Sequence, residues 1–343
     1  MKKTILFLSL EDILKCDGAD IDKAIEDIRE GFIDLHNGKI LSPLKTTLKS
    51  PVQNQEHSEG LVNSLPAYVD FGNEQFFSFK MLGAMPANVE KGIPRATGLI
   101  VLFDSVNKSP VAIMDAQVIS AMRTGAVSSL AGDAFLPKGI DSVTLVGAGV
   151  NMRTQLLGIL KARPSIKQVK IYSRGDSKNI FAQEMSAKTG VEILPQTDCE
   201  TALKEQKFMI TCLPNVTVPV VKESWIRKKG MTVFNIGCYE TEAQLLGRMD
   251  RVIADLWEQG KHRGAQTHAI AEKMGVISED KIENFAPIVA GEVPGRINDD
   301  ENIFFCPTGL GFEDAVLAIR IYKTAMERKV GQELTLWNDS DWI

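Results

Sequence analysis

The chain has 343 residues, 44% of them hydrophobic and 24% charged, with a formal net charge of −5. That length supports two domains with cores of their own, and the composition excludes a disordered or fibrous chain. A net negative charge also disfavours nucleic acid or an acidic membrane surface as a general partner.

The first element to place is "MKKTILFLSLEDILK". Two lysines precede an apolar run, as in a signal peptide. The run Ile5 to Leu10 is too short, however, and Glu11 and Asp12 close it with no small-residue cleavage site. The stretch reads as a strand end followed by a helix. No uninterrupted apolar segment approaches a membrane span, so a cytoplasmic protein is expected. The five cysteines, Cys16, Cys199, Cys212, Cys238 and Cys306, form no CxxC pair. They read as small core hydrophobes in a reducing compartment, not as a zinc or thioredoxin-like site.

Next, "DIDKAIEDIREGFIDLHNGKI" places Ile21, Ala24, Ile25, Ile28 and Phe32 at helical spacing. Strand-like runs follow: "SLPAYVDF", "QFFSFKML" and "ATGLIVLFD", separated by turn residues such as Gly72-Asn73 and Asn107-Lys108. This part is a helix-covered sheet without strict βαβ alternation. "AQVISAMRTGAVSSLAGDAFL" reads as one long helix with small residues on one face.

From residue 141 strands and helices alternate: "SVTLVG", then "VNMRTQLLGILKA", "QVKIYS", "SKNIFAQEMSAKTG" and "VEILP". Further strands are expected at "FMITCL", "MTVFNIG" and "RVIAD", and "GFEDAVLAIRIYKTAMERK" is an amphipathic helix that returns to the first part. The fold class is α/β: a Rossmann-type doubly wound sheet inserted in an α+β domain. The expected division is 1–125, completed by 310–343, with 126–309 between.

"VTLVGAGVNMRTQ" carries the first chemistry. Gly147 and Gly149 stand where a dinucleotide turn wants glycine, and a helix starting at Val150 and Asn151 would offer backbone N–H groups to phosphate. Met152 occupies the third position of GxGxxG, so the full fingerprint is missing. The setting favours a dinucleotide over a bare tight connection, because the turn opens a βαβ unit of about thirty residues. At the end of the next strand, where a carboxylate would hold the ribose of NAD, stand Ser173 and Arg174. A hydroxyl and a guanidinium suit a 2′-phosphate, so NADP(H) is favoured. NAD(H) stays open, with Asp176 as the alternative carboxylate.

Three further segments are distinctive: "FKMLGAMPANVEKGIPRATG", "MRTGAVSSLAG" and "GEVPGRINDDENIFFCPTGLGFEDAVLA". Together with the glycine turn they resemble the ornithine cyclodeaminase and mu-crystallin family over nearly the whole chain. The resemblance implies a substrate and dimerisation domain holding an inserted Rossmann domain, and a homodimer. It implies that Lys80, followed by Pro86 and Asn88, is the substrate lysine: an ammonium near the α-carbon that polarises an imine or moves a proton. Arg123 matches the carboxylate clamp, a planar fork for an α-carboxylate. Thr124 is expected near the cofactor. So are Thr211, Cys212 and Leu213 of "TCLP", Gly237, and Thr308 and Gly309 of "CPTGLG".

Two departures stand out. The second basic residue of the clamp, an arginine in the family, is here a lysine, either Lys45 or Lys49, which supplies charge without the fork. The aspartate expected after the glycine of "VFNIGCYETEAQLL" is replaced by Cys238 or Tyr239. Glu240 is then either a substitute proton-transfer group or a surface carboxylate. Cys238 has no evident base beside it. Glu313 and Asp314 read as helix-start acids that favour the dipole, and Arg296 as a structural anchor. His262 and His268 have no metal-site spacing, and no metal is expected.

These residues support a hydride-transferring enzyme acting at a carbon–nitrogen bond of a small α-amino or α-imino acid. The chemistry covers amino-acid dehydrogenation, cyclic ketimine reduction and reductive joining of an amino acid to a keto acid. Ornithine cyclodeamination is the alternative that the missing aspartate disfavours. An NADPH-dependent small-molecule binding protein is the non-enzymatic one.

Overall fold

Ser9 separates the first strand, β1 (Lys3–Leu8), from the first helix, α1 (Leu10–Lys15). Its hydroxyl accepts from the Asp12 N–H while the Asp12 carboxylate accepts from the Ser9 N–H, a reciprocal cap that fixes where the helix starts. The structure, a computed structural model, describes residues 2–50, 60–204, 206–214, 218–226 and 229–339. It divides into two compact units, Met1–Arg123 with Leu310–Ile343, and Thr124–Gly309. The first boundary lies two residues before the expected one.

In the first unit α1 is followed by α2 (Ile21–His36), β2 (Ile40–Leu41), β3 (Thr46–Lys49), β4 (Leu61–Asp70), β5 (Gln75–Ala84), β6 (Ala96–Asp104), β7 (Pro110–Asp115) and the start of α3 (Gln117–Phe135). After the second unit the chain returns as α10 (Gly311–Arg328) and β16 (Gln332–Trp337). Among the described residues the sheet has eight strands in the order β16-β1-β7-β6-β5-β4-β2, with β3 also on β4. Strands β4 to β7 pair antiparallel, and β1 joins β7 in parallel.

Period-2 alternation decides which face is covered. Leu65, Ala67 and Val69 of β4, Phe76, Ser78 and Lys80 of β5, and Ile100 and Leu102 of β6 are buried on one face. Helices α2 and α10 meet where Gly31 leaves room for the Phe312 ring, which stands edge-on to Phe32 at 5.1 Å. Gly311 opens α10 against β4: a Cβ there would strike the Pro66 carbonyl.

The second unit takes the rest of α3 and then alternates: β8 (Ser142–Val146), α4 (Val150–Ala162), β9 (Gln168–Tyr172), α5 (Ser177–Thr189), β10 (Glu192–Gln196), α6 (Cys199–Leu203), β11 (Phe208–Thr211), β12 (Thr232–Asn235) and β13 (Arg251–Ala254). Helices α7 (Trp257–Arg263) and α8 (Thr267–Lys273), β14 (Ile282–Asn284), α9 (Ala286–Val289) and β15 (Ile303–Phe305) complete it. The strand order is β10-β9-β8-β11-β12-β15-β13-β14, parallel throughout. The order reverses between β8 and β11, which is the switch point of a doubly wound sheet. Phe208, Phe234, Phe305 and Phe285 form a chain of rings, neighbours 5.0–5.3 Å apart, within its core.

Among the described residues no helix is long and apolar enough to cross a membrane. Strand β16 lies beyond the last element read from the sequence, and all six of its residues are exposed, so its alternation carries no burial signal. Strands β14 and β15 have three residues each, too few to show a period.

The small face of α3 has a definite use. A Cβ on Gly125 would strike the Thr154 backbone of α4, and one on Gly158 of α4 would strike the Gly125 carbonyl. Gly132, about two turns further along α3, meets Ala162 and Ile159. Gly158→Val should therefore destabilise the second unit by about 1–3 kcal/mol, the usual cost of overpacking, as measured by chemical denaturation.

Candidate active site

Lys80 stands mid-strand on β5, between Leu65 of β4 and Ile100 of β6, and is 1% exposed. A lysine there needs an acid, and α10 brings one. The Lys80 ammonium donates to Asp314 Oδ2 at 2.5 Å and to Ser120 Oγ at 3.3 Å. The neighbouring acid serves Arg123: its Nη1 donates to Glu313 Oε2 at 2.6 Å, and its Nε lies 3.6 Å from Asp314 Oδ1. Glu313 and Asp314 are fully buried. Both stand in the first turn of α10, as expected of helix-start acids, and are in addition the counterions of the two basic residues singled out for chemistry. Burial pushes the Lys80 pKa down, to about 8, against the upward pull of Asp314, with Arg123 adding to the fall.

The two candidates for the second basic residue separate. Lys45 is buried, 6% exposed, whereas Lys49 is exposed on β3. The Gly311 N–H donates to Ser42 Oγ at 3.1 Å, which holds the segment leading to Lys45 at the start of α10.

In the second unit Gly147 follows β8 with φ +111°, a conformation that favours glycine. A Cβ there would also run into the Cys212 carbonyl. Gly149 precedes α4 with extended backbone and no side-chain cap, and a Cβ on it would meet nothing. Val150 is 67% exposed and Asn151 half-buried. An uncapped helix start reached through two glycines fits a pyrophosphate. At the end of β9 the Ser173 and Ser177 hydroxyls share a hydrogen bond of 2.7 Å. Arg174 is exposed, and the Asp176 carboxylate accepts from Asn179 at 2.6 Å. Thr124 is buried, and its carbonyl accepts from Gln155 Nε2 at 3.0 Å.

Glu240 is not on the surface. It is fully buried, and both of its oxygens are engaged: Oε2 accepts from Thr211 Oγ1 at 2.6 Å and the Gly237 N–H at 3.1 Å, and Oε1 from the Leu213 N–H. Burial pushes its pKa up to about 7 while those donors pull it down. The surface alternative is thus excluded, and the carboxylate ties together the segments that follow β11 and β12. Asp255, at the end of β13, was not picked out from the sequence and does the same work. Its Oδ2 accepts from the N–H groups of Thr308 at 2.8 Å and Gly309 at 2.6 Å. Its signal was an acid closing an otherwise apolar strand.

The remaining candidates resolve simply. Arg296 donates to the Phe135 and Glu301 carbonyls and to Thr232, as an anchor would. Cys238 accepts from Arg263 at 3.7 Å. His262 is exposed, while His268 is buried and pushed down to about 3 by burial, so it is neutral. Among the described residues no group of three or more His, Cys, Asp or Glu is placed to hold a metal ion.

The first unit thus holds a buried lysine and a partly buried arginine on paired acids, and the second carries a glycine turn on a doubly wound sheet. The ornithine cyclodeaminase/mu-crystallin family profile matches residues 10–329. The chain belongs to this family. Among its relatives is the N-((2S)-2-amino-2-carboxyethyl)-L-glutamate dehydrogenase of Staphylococcus aureus, 25% identical over 341 residues, covering 98% of this chain and 100% of that one. The Thermococcus litoralis Δ1-pyrroline-2-carboxylate reductase, solved with NADH and L-proline, superposes with a TM-score of 0.87 at 30% identity, over 96% of this chain and 99% of that one. An archaeal alanine dehydrogenase dimer with bound NAD gives 0.86 at 25% identity, over 98% and 100%. These family members are dehydrogenases and reductases of amino and imino acids.

Removing one partner of a buried ion pair leaves the other uncompensated. Asp314→Asn should cost about 3–5 kcal/mol, read by chemical denaturation, with Lys80→Met restoring much of that loss in the double variant.

Proposed function

We propose that this chain is an NAD(P)-dependent oxidoreductase acting on the carbon–nitrogen bond of an α-amino or α-imino acid. The observation that carries the reading is Lys80: an amine buried in a family-matched position, paired to Asp314, with its pKa brought down to about 8. Such a group gives and takes a proton near neutral pH. The nicotinamide cofactor, when bound, supplies hydride exchange at the α-carbon. Arg123 and Lys45 hold the substrate carboxylate, and Lys80 protonates or polarises the nitrogen. Gly147, Gly149, Val150 and Asn151 receive the pyrophosphate. Arg174, exposed beside Ser173, favours NADP(H) by offering a guanidinium to a 2′-phosphate.

Within this reaction class, the bond between an amino acid and a keto-acid carbon is the first substrate type to test, because the Staphylococcus relative named for such a compound matches from end to end. Cyclodeamination is disfavoured: no aspartate stands in the segment 237–241, and the Glu240 oxygens are occupied. A pure binding role is disfavoured by the buried Lys80–Asp314 pair, which a binder does not need. Five free thiols go with a cytoplasmic setting, and no nucleic-acid or membrane partner is invoked.

The test is to follow cofactor absorbance with NADPH or NADH against keto acids with ammonia or amino acids, and against cyclic ketimines. Net cofactor oxidation supports the proposal, and faster reaction with NADPH supports Arg174. Proline and ammonia from L-ornithine without net cofactor change would overturn it. The reductive direction needs protonated Lys80, so kcat/KM should fall as pH rises through about 8. The oxidative direction should rise through the same range.

A homodimer belongs to the same reading. The uncovered face of the first sheet aligns Phe79 (40% exposed) with Val101, and Met81 (43%) with Leu99 (43%). An apolar sheet face of this kind is what a second copy covers, and the archaeal relative is a dimer. Phe79→Glu with Met81→Glu should convert a dimer to a monomer in light scattering.

A further inference from the structure

The sequence singled out cofactor residues on three strand ends of the second unit: Thr211 closing β11 with Cys212 and Leu213 after it, Gly237 after β12, and Thr308 and Gly309 after β15. Five of these six are bonded to just two buried carboxylates, Glu240 and Asp255. Strands β11, β12 and β15 all lie on one side of the switch point, and β9, which carries Ser173 and Arg174, lies on the other. A dinucleotide laid across the switch point puts its adenosine half on the β9 side. Its nicotinamide half then falls on the loops that the two carboxylates hold.

We infer that Glu240 and Asp255 are positioning residues for the nicotinamide half of the cofactor, fixing three separate loops without touching the adenosine half. The inference rests on the cofactor reading above. The geometry is demanding because backbone N–H groups cannot rearrange as side chains do, and a carboxylate accepts at both oxygens. An amide accepts at only one. In Glu240→Gln, the NH2 group faces either the Leu213 N–H or the Gly237 N–H, donor against donor, whichever way the amide turns. In Asp255→Asn it faces either the Leu256 N–H or those of Thr308 and Gly309. Volume is unchanged in both, so the effect is on loop placement more than on packing.

The experiment compares full-length wild type, Glu240→Gln and Asp255→Asn with two probes. ADP-ribose reports the adenosine half. NADH reports the nicotinamide half, through its fluorescence on binding and its single-turnover hydride transfer to a substrate found above. The expected result is unchanged ADP-ribose affinity, altered NADH fluorescence, and hydride transfer slowed about tenfold to a hundredfold, as a small misplacement of reacting atoms costs. Equal loss of ADP-ribose affinity would overturn the inference, since the carboxylates would then support the whole unit. Unchanged fluorescence and rate would overturn it as well. Should Glu240→Gln fail to fold, Thr211→Val removes one hydroxyl donor and leaves the carboxylate in place. It should shift the NADH signals in the same direction, by less, and no shift would count against the inference. A wild type that binds neither probe would instead sink the cofactor reading itself.

Discussion

Lys80 has no access to water, and its charge can persist there only because Asp314 is 2.5 Å away. Arg123, partly buried, is paired in the same way to the fully buried Glu313 at 2.6 Å. Four ionisable groups thus share one site, two of each sign, and three of them are buried. Taking such charges out of water is unfavourable by several kcal/mol each unless pairing is close and nearly complete. This one requirement explains the chain's unusual path. The two bases lie in the first 123 residues, on a strand and a helix, while both acids lie on the first turn of α10, after the whole second unit. Without the return of α10 the first unit would bury Lys80, and partly bury Arg123, without these two acids beside them. Its discontinuity is an electrostatic necessity as much as a packing one.

The pairing also accounts for what the lysine can do. Burial alone would push its proton off, and Asp314 alone would hold it too firmly. The two act in opposition and leave a pKa of about 8, with Arg123 tipping the balance downward. A proton that moves near neutral pH is the consequence. Ser120, 3.3 Å from the same nitrogen, gives the ammonium a second, neutral acceptor. The amine is thereby directed as well as charged.

Much of this was legible in the sequence and some of it was not. "VTLVGAGVNMRTQ" could be placed because an apolar run and two glycines are local signals. The structure supplies the reason: φ +111° at Gly147 and a carbonyl in the way of any Cβ. The antiparallel strands β4 to β6 were legible through alternation, and Lys80 and Arg123 through motif spacing. Their counterions were not, because Asp314 is 234 residues from Lys80 and a helix-start acid already has a sufficient local explanation. That Lys45 is buried and Lys49 exposed is something two lysines four residues apart do not reveal. For Glu240 the sequence offered a surface group or a proton donor. Its actual surroundings arise only when the ends of β11 and β12 come together.

Glu240 and Asp255 extend the same physics to the second unit in inverted form. In the first unit, acids hold side-chain cations. In the second, acids hold backbone N–H groups at the ends of parallel strands, where the ladder stops and donors would otherwise point into a protein interior. A neutral acceptor satisfies one or two such donors, whereas a carboxylate gathers them from separate loops and binds each more strongly. This also bears on the missing aspartate. The segment after β12 is short, and its acid turns inward to hold Thr211, Leu213 and Gly237. The acceptor positions of that residue are already filled from within the second unit. In the proposed reaction the proton moves on Lys80, and a single amine together with a hydride carrier is the minimum that oxidation or reduction of a carbon–nitrogen bond requires.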